Sequence, residues 1–342
     1  MSKPFFSLIV PTCRDAYPMP LHENKHIFQL IVENLVAQTF KSFELIVVDL
    51  LWDHRHQWFQ ENYPDLPFPV LHIPDKSSVF KDLGLQRICS SRNTGLIFAR
   101  GACTIYSDDC QHWSPDALEH LHKWGKKGFG ATVRLWRDVG EGPYEVDSRW
   151  AAHNIAGTNR TAFIPASNLG YFGGSLSMAP TQKFVEINGW DEMFDGSAQL
   201  EDTDMSKRLG AAGLKMALEG HPRCIEYEHK ACSSLSRAIR NVSSKCNGAW
   251  GFRFWNNMPQ RIEANRRVMT DEEVKGFIEG QCVMLKQVDG QDKCGVSNHP
   301  CLDRFANKEM IRMYQDMRLI LPLGMLRENA TWENAHHFLG PL

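Results

Sequence analysis

The sequence lacks any apolar run long enough to cross a bilayer, and it has almost no net charge. None of its 342 residues falls in a stretch approaching the roughly 18 consecutive apolar residues of a membrane-spanning helix. Its 38 basic and 40 acidic residues argue against binding nucleic acid mainly by phosphate neutralisation. A short apolar run near the start stops at Pro11 without a small-residue cleavage site, which indicates a strand, not a signal peptide. A cytoplasmic location is expected.

The sequence also lacks paired cysteines. Its ten cysteines are scattered and include no Cys-x-x-Cys pair, which is typical of buried thiols and not of a secreted disulfide framework. Cys282, Cys294, His299 and Cys301 have the ligand types of a structural zinc site, but their irregular spacing favours buried cysteines. An aromatic and basic stretch at residues 250–267 could stack a sugar or a base, or pack in a core.

Strands and helices alternate in the first half of the chain. Apolar runs predict strands near residues 6–10, 43–49, 70–74 and 103–106, with helices near 26–38 and 86–99. This alternation predicts an α/β fold with a mostly parallel central sheet. Further helices are expected near residues 115–124, 201–212, 271–285 and 308–319. The simplest partition is a core domain at residues 1–230 and a mainly helical C-terminal extension at 231–342.

Acidic residues follow the predicted strands. The ligands of parallel sheets bind beyond the carboxyl ends of the strands, where Thr12, Asp49 and the Ser107-Asp108-Asp109 step are expected to converge. Two adjacent carboxylates with no Lys or Arg nearby in sequence repel each other unless a cation lies beside them. Mg²⁺ or Mn²⁺ would suit these oxygen ligands. The alternative is a solvated turn that merely ends the strand.

A second acidic group begins the helix predicted at residues 201–212. Glu201, Asp202 and Asp204 are three acids within four positions. Acids there favourably complement the helix dipole, so a purely structural role is one reading. The other is that one of them acts as a general base in a cleft.

Taken in order, these motifs resemble glycosyltransferase family 2, whose members are inverting enzymes with a GT-A fold. The resemblance covers roughly residues 5–230. The matching segments are Ser7-Leu8-Ile9-Val10-Pro11-Thr12, the strand end Asp49, Ser91-Arg92-Asn93-Thr94-Gly95-Leu96, Asp108-Asp109, Gly173-Gly174-Ser175, Asn188-Gly189-Trp190-Asp191-Glu192 and Glu201-Asp202-Thr203-Asp204. The resemblance implies a GT-A, Rossmann-like sandwich.

The resemblance also implies roles for single residues. The implied donor-binding residues are Pro11, Thr12, Asp49, Arg92, Asp108 and Gly174. The implied Mn²⁺ or Mg²⁺ ligands are Asp109, Asp108 and His229. Ser107 stands where a first acid is common, so which of the two aspartates binds the metal directly is left open, with Asp109 preferred. Asp202 matches the catalytic base, and Glu201 matches a neighbour that orients the acceptor.

The expected function is metal-dependent, inverting transfer of a sugar from a nucleotide-diphosphate donor, most simply a UDP-sugar. The acceptor would be a hydroxyl of a saccharide, a lipid-linked glycan or another glycoconjugate. One alternative acceptor is a modified nucleic acid base, served by basic residues within 230–267. Another alternative is a degenerate protein that binds glycans or a partner. A sugar-nucleotide-forming nucleotidyltransferase fits poorly, because the loop after the first strand has no glycine to hold a triphosphate.

Overall fold

The computed structural model describes residues 3–14, 26–76, 87–137, 145–146, 161–166, 172, 176–192, 201–227 and 323–339. Gly174, His229, the possible zinc ligands at 282–301, the stretch 250–267 and the helices expected near 271–285 and 308–319 lie outside these residues. Across the described ranges, no helix combines the length and apolar character that spanning a membrane requires.

Ten strands and eight helices are described. The strands are β1 (Phe6–Thr12), β2 (Phe43–Asp49), β3 (Val70–Ile73), β4 (Cys103–Tyr106), β5 (Gln111–Trp113), β6 (Gly130–Arg137), β7 (Glu145–Val146), β8 (Ala162–Pro165), β9 (Ser177–Pro180) and β10 (Lys215–Glu226). The helices are α1 (Ile27–Val36), α2 (Trp52–Asn62), α3 (Ile88–Phe98), α4 (Ala117–Gly125), α5 (Thr181–Glu186), α6 (Glu201–Ala211), α7 (Leu323–Asn329) and α8 (Ala335–Phe338).

The strands form one sheet in the order β3-β2-β1-β4-β9-β6-β10-β5, with β7 and β8 paired outside this path. Strands β3, β2, β1 and β4 are parallel to one another, as are β6 and β10. Since β9 is antiparallel to both β4 and β6, β6 and β10 run in the same direction as β1. Within the described sheet, only β9 and β5 on this path run the other way. The predicted α/β fold with a mostly parallel sheet is confirmed.

The parallel half of the sheet is covered on both faces. Every residue of β1 and of β2 is buried, as continuous apolar runs predict for parallel strands. Two glycines let α3 and the turn after it lie against β1. A Cβ at Gly95 would be 2.4 Å from the Cγ2 atom of Ile9, and one at Gly101 would be 2.5 Å from the backbone nitrogen of Ser7. These glycines therefore set how closely α3 approaches the sheet.

Residues 323–339 return to the sheet domain and pack against the C-terminal end of α3. The Arg327 guanidinium donates a 2.7 Å hydrogen bond to the carbonyl of Ala99, and the Trp332 indole donates one of 3.0 Å to the carbonyl of Phe98. Leu323 is buried, and its backbone nitrogen donates to the Asn188 side chain at 2.7 Å. The segment thus satisfies carbonyls that the end of α3 leaves without helical partners.

Candidate active site

A cleft of about 260 Å³ opens where β1 and β4 end and α6 begins. Seven residues singled out from the sequence line it: Pro11, Thr12, Arg92, Asp108, Asp109, Glu201 and Asp202. The fold therefore brings together motifs that are far apart along the chain. The lining also includes Arg14, Arg87 and Glu226, which the sequence did not single out.

A larger groove, about 1050 Å³ in volume, lies elsewhere on the domain. It runs between the C-terminal end of α3 and residues 327–333, and none of the predicted site residues lines it. Its wall includes Arg100, whose guanidinium lies 3.8 Å from the ring centroid of Trp332. Volume therefore does not identify the reactive site, whereas the grouping of ionisable side chains does.

Arg92 is the electrostatic centre of the smaller cleft. Its Nη1 atom lies 3.2 Å from Asp202 Oδ1 and 3.9 Å from Glu201 Oε1, while Nη2 lies 3.4 Å from Asp108 Oδ1. Burial alone would lower the pKa of this guanidinium, but the charges of the three carboxylates outweigh it and raise that pKa. Arg92 therefore stays charged and joins the strand-end acid to the acids of α6.

Trp190 supports the Arg92 side chain, and a network of hydrogen bonds holds Trp190 in place. The guanidinium stacks 4.2 Å from the ring centroid of Trp190. Asn93 donates to the Trp190 carbonyl and accepts from its backbone nitrogen, both at 2.8 Å. Buried Arg208 donates to the carbonyl of Gly189, whose φ is +68°, and pairs with Asp204 at 2.7 Å. These motif residues position the site without lining the cleft.

The two adjacent aspartates after β4 have different surroundings. Asp109 is buried and accepts a 2.7 Å hydrogen bond from the Thr12 hydroxyl and another from Arg14. The Asp108 side chain is 30% exposed and faces Arg92. The Ser107 hydroxyl, at the position where a first acid is common, donates to Gln111 Oε1 at 2.8 Å. Asp108 is thus the more accessible ligand, and a cation on Asp109 would have to displace Arg14.

The carboxylates of this rim suit a divalent cation by chemical type. Asp108, Asp109 and Glu226 all line the cleft, and carboxylate oxygens are the ligands that Mg²⁺ and Mn²⁺ prefer. Among the described residues, no three such groups of the cleft bring ligand atoms within 4.8 Å of one another. The carboxylates fit a cation by type, but as placed here they leave part of its coordination to other ligands.

The acids at the start of α6 divide into a structural acid and two cleft acids. Asp204 faces inward to Arg208, whereas Glu201 and Asp202 face the cleft. Burial, together with the charge of Asp202, raises the pKa of Glu201 to about 8 despite the opposing effect of Arg92. Among the described residues, the buried Glu201 Oε2 atom has no hydrogen-bond partner. Glu201 is therefore a protonated donor at neutral pH, beside an Asp202 carboxylate held by Arg92.

Replacing Glu201 with glutamine is expected to remove an alkaline loss of stability. The unfolded chain releases the Glu201 proton near the ordinary value of 4.5, while the folded protein keeps it to about 8. Between these values the folded state binds more protons, so the free energy of unfolding falls as pH rises. Because the two pKa values differ by about 3.5, the stability of Glu201→Gln relative to wild type should grow by roughly 4 kcal/mol between about pH 5 and about pH 8.5.

Urea unfolding in the presence of a chelator, at about pH 5 and about pH 8.5, measures this difference. The matched control is Glu61→Gln on the exposed face of α2, which should follow the wild-type profile. Equal pH profiles for Glu201→Gln and wild type would contradict the raised pKa.

Asp49 is placed differently from the other predicted donor-binding residues. It is fully buried and does not line the cleft. It accepts hydrogen bonds from Arg55 Nε at 2.9 Å and from the His72 ring at 3.0 Å. Burial by itself raises the pKa of Asp49, but the His72 hydrogen bond and the Arg55 charge outweigh it and lower that pKa. Its role in donor binding stays a prediction.

No protein-family model matches the chain, and no curated protein matches its sequence. Among solved structures, the chain is similar to S. aureus TarS residues 1–349, a glycosyltransferase, in complex with UDP-GlcNAc. The TM-score is 0.51 at 16% identity, over 92% of this chain and 90% of that chain. At this identity the likeness shows the fold alone, and it agrees with the expected GT-A, Rossmann-like sandwich. Membership of family 2 stays a prediction.

Proposed function

We propose that this protein transfers a sugar from a nucleotide-diphosphate donor to an acceptor hydroxyl, with inversion at the anomeric carbon. The observation that carries the proposal is the Arg92 cluster. One buried guanidinium joins Asp108, on the side predicted to bind the donor, to Glu201 and Asp202, on the side predicted to bind the acceptor. The structural neighbour was solved with UDP-GlcNAc, which makes a UDP-sugar the first donor to test. We propose a saccharide or another glycoconjugate as the acceptor and the cytoplasm as the location.

On the acceptor side, Asp202 acts as the general base. It removes the proton of the acceptor hydroxyl, whose oxygen then attacks the anomeric carbon opposite the leaving group, so the configuration inverts. Glu201, protonated at neutral pH, donates a hydrogen bond that orients the acceptor. Arg92 holds the Asp202 carboxylate in place with a 3.2 Å ion pair. Holding both substrates in one cleft supplies the proximity that the reaction needs.

On the donor side, Asp108 and Asp109 would hold Mn²⁺ or Mg²⁺, with Glu226 on the same wall. When bound, such a cation neutralises the diphosphate and stabilises the charge of the departing nucleoside diphosphate. Pro11 and Thr12 line the wall next to these aspartates. We propose that the rim of β1 and β4 binds the donor and that the start of α6 binds the acceptor.

Release of nucleoside diphosphate from a panel of nucleotide sugars, with and without Mn²⁺, tests this function. We expect slow, metal-dependent release from one donor, and loss of that metal dependence in Asp108→Asn. The control is Asp53→Asn, which changes an exposed carboxylate of α2 that does not line the cleft. Absence of both release and metal-dependent donor binding would overturn the proposal and favour a protein that binds glycans or a partner.

A further inference from the structure

Three side chains of metal-ligating type come together away from the cleft, between α4 and the middle of β10. They are His120 of α4 and Glu219 and His221 of β10, and one ligand atom of each lies within 4.8 Å of the others. His120 Nδ1 is 3.6 Å from Glu219 Oε2, and His221 Nδ1 is 2.6 Å from Glu219 Oε1. Neighbouring ligand atoms around a tetrahedral zinc ion are about 3.4 Å apart, so the His120–Glu219 spacing already fits, and the His221–Glu219 pair would have to open by about 0.8 Å.

The outer contacts of this group are those of a metal site. A ligating histidine usually donates its second ring nitrogen to a carboxylate, and a ligating carboxylate is itself hydrogen-bonded. His120 turns its other ring nitrogen, Nε2, toward Asp116 Oδ2 at 3.6 Å. Glu219 accepts hydrogen bonds from the Trp124 indole at 3.0 Å and the Thr161 hydroxyl at 3.2 Å. Groups outside the triad therefore hold the Glu219 carboxylate in place.

The burial of the group leaves one side open. Glu219 is buried, His120 is partly buried, and the His221 side chain is 51% exposed. The imidazole rings of His120 and His221 stack with their centroids 5.5 Å apart, which leaves both able to turn a nitrogen to a shared ion. Two imidazoles and one carboxylate, with water as the fourth ligand, form a common zinc set.

We propose that His120, Glu219 and His221 bind Zn²⁺ and that the ion fastens α4 to β10. At this position the ion would stabilise an irregular part of β10. The pairing of β10 with β6 shifts register between Glu219 and Cys224, so the strand bulges where His221 lies. Beyond the bulge, β10 continues to Glu226 in the wall of the candidate active site. A metal ion here stabilises an irregular strand that leads to the cleft, and it acts independently of the proposed glycosyl transfer.

Zinc titration of the full chain after chelator treatment tests the site. The difference in bound zinc between wild type and a ligand variant counts the ion at this site separately from any zinc bound elsewhere. Wild type should bind one more equivalent of Zn²⁺ than His221→Ala or His120→Ala. Zn²⁺ should raise the unfolding temperature of wild type by a few degrees and that of these variants by less. The control is His54→Ala, which removes an exposed histidine of α2 and should behave as wild type.

Cobalt gives a second readout that does not depend on stability. Co²⁺ at a four-coordinate site with two imidazoles should give visible absorption bands in wild type and in His54→Ala, and His221→Ala should lose them. Because His221 is half exposed, its replacement should leave the fold intact. Equal zinc stoichiometry, equal thermal shifts and equal cobalt spectra in wild type and His221→Ala would overturn the site.

Discussion

Replacing Arg92 with methionine is expected to lower the free energy of unfolding by roughly 3–5 kcal/mol, the usual cost of removing one partner from a buried ion pair. Methionine keeps an unbranched apolar stem but removes the charge and the guanidinium that stacks on Trp190. Asp108, Glu201 and Asp202 would then face one another without the guanidinium that now joins them. Repulsion between the ionised carboxylates and their incomplete solvation would destabilise the variant, in addition to the lost stacking on Trp190.

The origin of this loss can be identified from its pH dependence. Without Arg92, the carboxylates of the cluster should have raised pKa values, since like charges lie close together. Groups with raised pKa values stabilise the folded state at low pH and lose that contribution as pH rises. The deficit of Arg92→Met relative to wild type should therefore be larger at about pH 8 than at about pH 5.5 in urea unfolding.

Two further variants complete the Arg92 experiment. Arg92→Lys retains the charge but loses the planar fork that reaches Asp108 and Asp202 together, so it should recover part of the stability. Arg223→Met removes an exposed arginine of β10 and should cost little. A deficit for Arg92→Met that is below about 1 kcal/mol, or the same at both pH values, would contradict the electrostatic role.

Local pattern predicted the parallel half of the fold. The run at residues 43–49 matches β2, and the run at 6–10 gave β1 except for Pro11 and Thr12. Continuous apolar runs are the direct consequence of burial on both faces of the sheet. Such strands can therefore be predicted without knowing which strands lie beside them. The insertion of antiparallel β9 between β4 and β6 could not be read this way, since strand order depends on pairing between distant segments.

The composition of the cleft was predictable from the sequence, but its internal pairing was not. Strand ends and the start of α6 were expected to meet, and seven predicted residues line one cleft. The aspartates after β4 have no basic neighbour in sequence, which suggested either a metal ion as compensation or a solvated turn. The structure brings Arg14 to Asp109 and Arg92 to Asp108, across 95 and 16 positions. Local sequence cannot show which charged residues from distant parts of the chain become neighbours in the fold.

Helix geometry explains why the three acids at the start of α6 have different partners. Three acids at a helix start are equivalent as complements to the helix dipole, so only the family resemblance, which matches Asp202 and Glu201, separated them at the level of sequence. At about 100° per residue, Asp204 turns away from Asp202, and it pairs with Arg208 instead of facing the cleft. The proximity of His120 and His221 could not be predicted from the sequence at all. They are 101 positions apart in the chain and come together only because α4 packs on β10.

Replacing Asp202 with asparagine is expected to reduce metal-dependent release of nucleoside diphosphate by roughly 10²–10⁴-fold, the contribution of a general base. Asparagine has nearly the same shape and can still accept a hydrogen bond from Arg92, but it cannot take a proton at neutral pH. Donor affinity should be nearly unchanged, because the donor is expected on the Asp108 side of the cleft. Steady-state release and direct donor binding, measured on the same preparation, separate the two effects.

The same variant should also change its neighbour. The charge of Asp202 is one cause of the raised pKa of Glu201, so that pKa should fall in Asp202→Asn, and the alkaline loss of stability should become smaller. Asp53→Asn should leave both release and this profile as in wild type. If Asp202→Asn retained full release while Glu201→Gln abolished it, the base would be Glu201. Its pKa near 8 would then make release rise with pH up to that value.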